Sequence, residues 1–136
     1  MSAKKIKNVP SLKLDHKLSV GSIVWAKLRS YSWWPAIIIR STDCSRPEAK
    51  FGNSWVFWFG DHKISEISRK NIFGFVSNFH HLFCDASGKR RKAAIYEALE
   101  VLADRCSYHS INVKDLVSWA KNQFQTLDET SISSSG

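Results

Sequence analysis

The sequence predicts an α+β fold: a small five-stranded β-barrel followed by a C-terminal α-helical bundle. Three observations predict it. Short stretches rich in β-formers recur at close spacing between residues 20 and 70, as in small barrels that avoid open sheet edges. From residue 77 onward the apolar residues fall at helical spacing instead. Aromatic residues make up 12 % of the chain and include six Trp, which a disordered chain would lack.

The elements follow in order. Residues 1–18 hold Lys4, Lys5, Lys7, Lys13 and Lys17 against Asp15 and read as a flexible basic arm, either solvated or binding. Ser22 to Arg29 reads as a strand that ends in the polar turn Arg29-Ser30-Tyr31-Ser32. Trp34 to Arg40 reads as a second strand, with Pro35 near its start, where a missing N–H costs least. Residues 41–53 form a loop rich in turn formers, and Ser54 to Phe59 a third strand. Gly60 to Lys63 is a tight turn, and Lys63 to Ile67 alternates as a short fourth strand. Ser77 to Phe83 is expected to form a short helix packed by Phe79, Leu82 and Phe83. Ser87-Gly88 introduces a longer helix to about Arg105, with Ile95, Leu99, Leu102 and Cys106 on one core face. Asn112 is a good N-cap for a last helix carrying Val113, Leu116, Val117, Ala120 and Phe124. The organisation is thus an arm over 1–18, a domain over 19–110, an additional helix over 111–125 and a disordered tail over 126–136. Within the domain, the barrel covers about 20–70 and the helices about 77–106.

The chain carries 20 basic and 12 acidic residues, a net charge of +8, which points to a polyanionic partner. Its longest apolar run, Trp33 to Ile39, is far shorter than the roughly 20 residues of a membrane helix. The start MSAKKIKN lacks the apolar stretch of a secretory signal. Cys44, Cys84 and Cys106 are odd in number, widely spaced and form no C-x-x-C, so no disulfide framework, zinc knuckle or other metal site is expected. A reducing compartment, cytosol or nucleus, fits best.

Tyr31, Trp34, Trp58 and Asp61 sit where strands meet turns. In a five-stranded barrel these two turns can share one open end. Aromatic faces meeting an acid there would cage a cation, at about 0.5–2 kcal/mol per ring. A methylated ammonium suits such a cage because it keeps its charge while losing N–H donors. Tyr and Trp are also common packing residues of small barrels. Packing is the reading for Trp25, Trp33 and Trp55, and it stays open for the rest on pattern alone.

Ser32-Trp33-Trp34-Pro35 resembles the signature of the PWWP domain, a methyl-lysine reader of the Tudor-like barrel class. Val20 to Lys27 is similar to that family's opening strand, and Trp55-Val-Phe-Trp-Phe-Gly-Asp61 to its third strand and turn. The resemblance is closest to the PWWP domain of the de novo DNA cytosine-5-methyltransferases, which also share the helix Arg91 to Leu99 and the segment Leu116 to Phe124. It covers roughly residues 19–125.

The resemblance implies a cage of Tyr31, Trp34 and Trp58 with Asp61 as its acid. It implies a ligand, di- or trimethyl-lysine of the histone H3 tail, at the gene-body mark near the nucleosomal DNA. It also implies a nuclear, chromatin-associated module that targets a DNA methyltransferase, needs no cofactor and takes no small-molecule substrate. Two features depart from the pattern. His62 stands where those methyltransferases usually have Gly, and the 41–53 loop is this protein's own.

Lys89-Arg90-Arg91-Lys92 opens the long helix. Cations there oppose the helix dipole, so stability alone does not predict them. Counterion release from a DNA backbone does. Arg29 and Lys63 are placed to join them beside the cage, and a solvated surface run is the plainer alternative. No base-reading motif is visible, so DNA contact would be sequence-independent.

A catalytic alternative rests on Cys84 near His80 and His81, with His81 and Cys84 spaced i, i+3 as a conceivable metal pair. A buried, inert Cys84 is the commoner arrangement. No phosphate loop or cofactor fingerprint occurs, and the catalytic motifs of the DNA methyltransferases are missing. This segment therefore reads as non-catalytic. A third reading is a DNA-binding barrel whose cage is unused.

Overall fold

The computed structural model describes residues 18–29, 31–84, 86–109 and 114–124. The expected arm before Leu18, the tail 126–136, and the expected cap Asn112 with Val113 lie outside the described residues. The first half forms β1 (Ile23–Ala26), β2 (Trp34–Ile39), β3 (Asn53–Trp58), β4 (Ile64–Ser68) and β5 (Ile72–Gly74). They pair antiparallel in one sheet, in the order β4-β3-β2-β1-β5.

The edges of this sheet are consecutive in the chain, because only the 3₁₀ turn Arg69–Asn71 separates β4 from β5. The steps from Ser68 to Ile72 reach at most about 14 Å. A flat sheet of this order would hold those edges about 19 Å apart. The sheet must curl on itself.

Burial along β1 shows what covers each face. All its residues are buried because they alternate between two cores. Val24 and Ala26 point into the barrel with Ala36, Ile38, Val56, Trp58, Ile67 and Ile72. Ile23 and Trp25 pack instead with Phe75, Phe79, Ile95, Leu99 and Phe124 beneath the helices. Trp25 is fully buried, stacks on Phe75 at 4.6 Å and donates its indole N–H to the Phe75 carbonyl at 3.1 Å.

Among the described residues three α-helices follow: α1 (Phe79–Leu82), α2 (Lys89–Arg105) and α3 over residues 114–124. The buried face of α2 is Ala94, Ile95, Ala98, Leu99 and Ala103. This is rotated from the expected face, since Leu102 is half-buried and Cys106 lies exposed beyond the helix end. The alanines let the helix approach the barrel closely. A Cβ added to Gly60, whose φ is +82°, would stand 2.9 Å from the Ala94 Cβ. α3 buries Leu116, Ala120 and Phe124, and Phe124 meets Phe79 edge-on at 5.1 Å.

Several boundaries differ from expectation. β1 stops at Ala26, well before Arg29, because the Tyr31 N–H bonds back to the Leu28 carbonyl and Arg29 takes φ 54°. A left-handed residue cannot continue a strand. β5 was not visible as a strand, because three residues give no alternation to read. Cys84 is exposed, and α1 ends at Leu82, so His81 and Cys84 do not share a helix face. Among the described residues no three His, Cys, Asp or Glu side chains are grouped to hold a metal, and no helix is long and apolar enough to cross a membrane.

Candidate ligand cleft and its basic rim

The turn before β2 and the turn between β3 and β4 lie at one end of the barrel, against the start of α2. A cleft of about 890 Å³ opens between them. Tyr31, Trp34, Trp58 and Asp61 all line it, with Lys63, Lys89, Arg90 and part of Arg91. Arg29 is exposed in the turn at the foot of this end, and Lys92 is half-buried; neither lines the cleft.

Each indole of the cleft is held by its polar end. Trp34 Nε1 donates to the Phe59 carbonyl at 2.9 Å, and Trp58 Nε1 to Ser65 Oγ at 2.8 Å. Buried indole N–H groups need such partners, and the bonds fix the ring orientations. Tyr31 differs, being 68 % exposed. Trp33 turns away from the cleft and packs edge-on against Phe73 at 5.2 Å. Trp55 serves the 41–53 loop, donating to the Pro47 carbonyl at 2.9 Å beneath the Arg46 guanidinium.

Asp61 sits in a clamped turn. Glu97 on α2 accepts the Gly60 N–H at 2.6 Å through one oxygen and meets His62 Nε2 at 2.7 Å through the other. His62 also stacks on Phe57 at 5.5 Å. Its φ of 59° is the left-handed conformation that glycine adopts freely, so His62 fits the turn while adding this anchor. The Asp61 carboxylate accepts from Arg90 Nη2 at 2.7 Å.

The basic run Lys89–Lys92 does not act as one surface. Arg91 was expected to contact DNA, and the structure turns its guanidinium inward. Nε donates to the Trp33 carbonyl and Nη2 to the Leu82 carbonyl, each at 2.9 Å, and Nη1 to Ser87 Oγ at 2.7 Å. Its Cζ lies 5.3 Å from the Trp25 ring centroid. Burial lowers its pKa from the ordinary arginine value. Arg91 bolts the barrel to the helices, with three of its five N–H groups bonded inside the protein. The signal lay in helix geometry: successive residues turn by about 100°, so four in a row cannot face one way. Glu97 and Ser65 were also missed, since nothing local marks a side chain whose partner lies on another element.

The 41–53 loop is ordered by its own bonds. Asp43 accepts from the Arg40 backbone and side chain, which holds its carboxyl below the ordinary carboxylate value. Glu66 accepts from the Asn53 amide at 3.0 Å and the Lys50 N–H at 2.7 Å, and is lowered in the same way.

A family model of the PWWP domain matches residues 21–105, more than half of the chain. The chain belongs to the PWWP family. Among its curated relatives, PWWP domain-containing protein 5 of Arabidopsis thaliana is 32 % identical over 95 residues, covering 68 % of this chain and 15 % of the relative. PWWP domain-containing protein 2A of Homo sapiens is 28 % identical over 111 residues, covering 80 % of this chain and 14 % of the relative. The chain thus spans about one-seventh of the length of such relatives. The solution structure of the second PWWP domain of the WHSC1L1 protein superposes with a TM-score of 0.53 at 26 % identity, covering 74 % of this chain and 96 % of that one. The curled sheet with C-terminal helices is therefore the Tudor-like barrel of PWWP domains. PWWP domains are in general non-catalytic chromatin readers that bind methylated histones and DNA, and the proteins that carry them are typically nuclear.

Proposed function

We propose that this PWWP domain reads di- or trimethylated lysine on the histone H3 tail, at the gene-body mark near the nucleosomal DNA. Tyr31, Trp34 and Trp58 supply ring faces, and Asp61 supplies the rim charge. Nucleosomal DNA binds without sequence preference over Lys63, Lys89, Arg90 and Lys92, with Arg29 at the edge; Arg91 is not part of this surface. The reading rests on one observation: three aromatics and an acid line the same cleft as the basic residues Lys63, Lys89 and Arg90. Each ring contributes about 0.5–2 kcal/mol to a cation it faces. A tail segment alone makes few other contacts, so the isolated peptide should bind weakly. A nucleosome presents tail and DNA together, and avidity can then exceed either affinity by roughly 10²–10⁴.

The test is a titration of H3 peptides carrying unmethylated to trimethylated lysine, followed by the fluorescence of Trp34 and Trp58. A saturable change with di- and trimethyl peptides, absent with the unmethylated one, is expected. Equal responses to all methylation states would sink the reading.

One observation favours a second reading, a DNA-binding barrel with an unused cage: Arg90 already occupies the Asp61 carboxylate. In that case a DNA duplex binds with a steep salt dependence, and no methylated peptide binds at all.

The finer resemblance, the Trp55–Asp61 string and the Arg91–Leu99 helix, supports a DNA cytosine-5-methyltransferase as the parent protein and nuclear chromatin as its location. The relatives reported above are PWWP domain-containing proteins of other names. A catalytic domain encoded in the same reading frame would establish the methyltransferase parent.

A further inference from the structure

We propose that Arg90 is a built-in competitor for the acid of the cleft, and that its release couples DNA binding to methyl-lysine binding. The inference rests on the reader function proposed above. Arg90 Nη2 lies 2.7 Å from Asp61 Oδ1, and both residues line the cleft. A methylammonium that approaches this carboxylate competes with the guanidinium for its charge, Arg90 bonding one of its two oxygens, Oδ1.

The two partners differ in freedom. Asp61 sits between Gly60 and His62, and both of those are tied to Glu97, so the acid cannot leave the rim. The Arg90 side chain is 81 % exposed, and among the described residues Asp61 is its hydrogen-bond partner. The adjacent Arg91, with three bonds inward, shows the opposite commitment. Arg90 is thus the movable member, and a released guanidinium is a good bidentate phosphate ligand.

DNA that draws Arg90 to a phosphate therefore uncovers Asp61. By linkage, a methylated lysine that displaces Arg90 presents it to DNA with the same coupling factor. Exposed ion pairs are weak, which limits the coupling to about two- to five-fold. The latch thus suppresses binding of methylated tails away from DNA and relaxes on the nucleosome.

The test compares wild type, Arg90→Gln, Lys89→Gln, Asp61→Asn and the Arg90→Gln/Asp61→Asn double variant. Each is titrated with a trimethyl-lysine H3 peptide and, separately, with a short DNA duplex, after a thermal melt to check folding. Arg90→Gln should bind the peptide about two- to five-fold more tightly and the duplex more weakly. Lys89→Gln loses the same charge at the same cleft and should weaken only the duplex. The peptide gain should vanish in the double variant relative to Asp61→Asn. No peptide gain in Arg90→Gln, or an equal gain in Lys89→Gln, would overturn the latch while leaving the reader intact. Failure of both wild type and Arg90→Gln to bind the peptide would overturn the reader function and the latch with it.

Discussion

Arg91→Ala separates a structural bolt from a DNA contact. The substitution removes three side-chain hydrogen bonds and leaves the carbonyls of Trp33 and Leu82 without these donors. It also removes the cation over the buried Trp25 ring. Each orphaned buried acceptor costs about 1–3 kcal/mol, and water reaching this half-buried site recovers part of that. A net loss of about 2–4 kcal/mol is expected. For a domain near 100 residues this lowers Tm by roughly 10–25 °C. Arg91→Lys keeps the charge but not the planar fork, and should fall between wild type and Ala. Thermal melts followed by circular dichroism would measure both, with Lys89→Ala as the exposed control. If Arg91→Ala melts within about 2 °C of wild type and weakens DNA binding as Lys89→Ala does, the inward assignment is wrong.

The other predictions concern the elements that frame the cleft. Glu97→Ala frees Gly60 and His62 and should weaken methyl-peptide binding several-fold; Glu97→Gln, which can still accept one bond, should lose less in the same fluorescence titration. Phe124→Ala should cost about 3–5 kcal/mol in denaturant unfolding, because a fully packed aromatic is removed from the core shared with Phe75 and Phe79. A midpoint unchanged from wild type would show that α3 lies outside the folding unit. The Glu66 carboxyl is held below its ordinary value of 4.5 first by the Asn53 amide and then by the Lys50 N–H. Its folded-state pKa is depressed, so its stabilisation is present above the ordinary value and is lost as pH falls through the folded one. The protection of the Lys50 amide, taken relative to its intrinsic exchange rate at each pH, should fall on acidification in wild type, whereas in Glu66→Gln, which can accept only a neutral bond, it should be lower and insensitive to pH.

Much of this arrangement was legible before the structure. Runs of β-formers between turns placed β2 and β3, and alternation placed β4, each within a residue or so, and the Ser87-Gly88 break placed the start of α2. Tyr31, Trp34, Trp58 and Asp61 could be singled out because chain turns bring strand ends together in any small barrel. What could not be read depends on contacts between distant elements. β5 exists because Ile72 to Gly74 pairs with β1, and its own three residues carry no period. Cys106 fell off the expected helix face because α2 ends at Arg105, and its buried face runs through Ala94, Ala98 and Ala103 beside Ile95 and Leu99. The Lys89–Lys92 run read as one charged surface, yet a single helical turn divides it: Arg91 turns inward, Arg90 pairs with Asp61, Lys89 lines the cleft and Lys92 does not.

Tyr31→Ala gives the most direct test of the cleft as a methyl-lysine site. Trp34 and Trp58 both donate hydrogen bonds to the barrel, so removing either also disturbs the fold. Tyr31 is 68 % exposed and lines the cleft, so it can be truncated with little cost to stability. The quantity to measure is the ratio of affinities for trimethyl-lysine and unmethylated H3 nucleosomes, in wild type and in Tyr31→Ala. The account predicts a ratio well above one in wild type, falling by roughly 2- to 30-fold in the variant, the worth of one ring facing the cation, with unmethylated affinity and Tm unchanged. A wild-type ratio of one, or a ratio that Tyr31→Ala leaves intact, would contradict it.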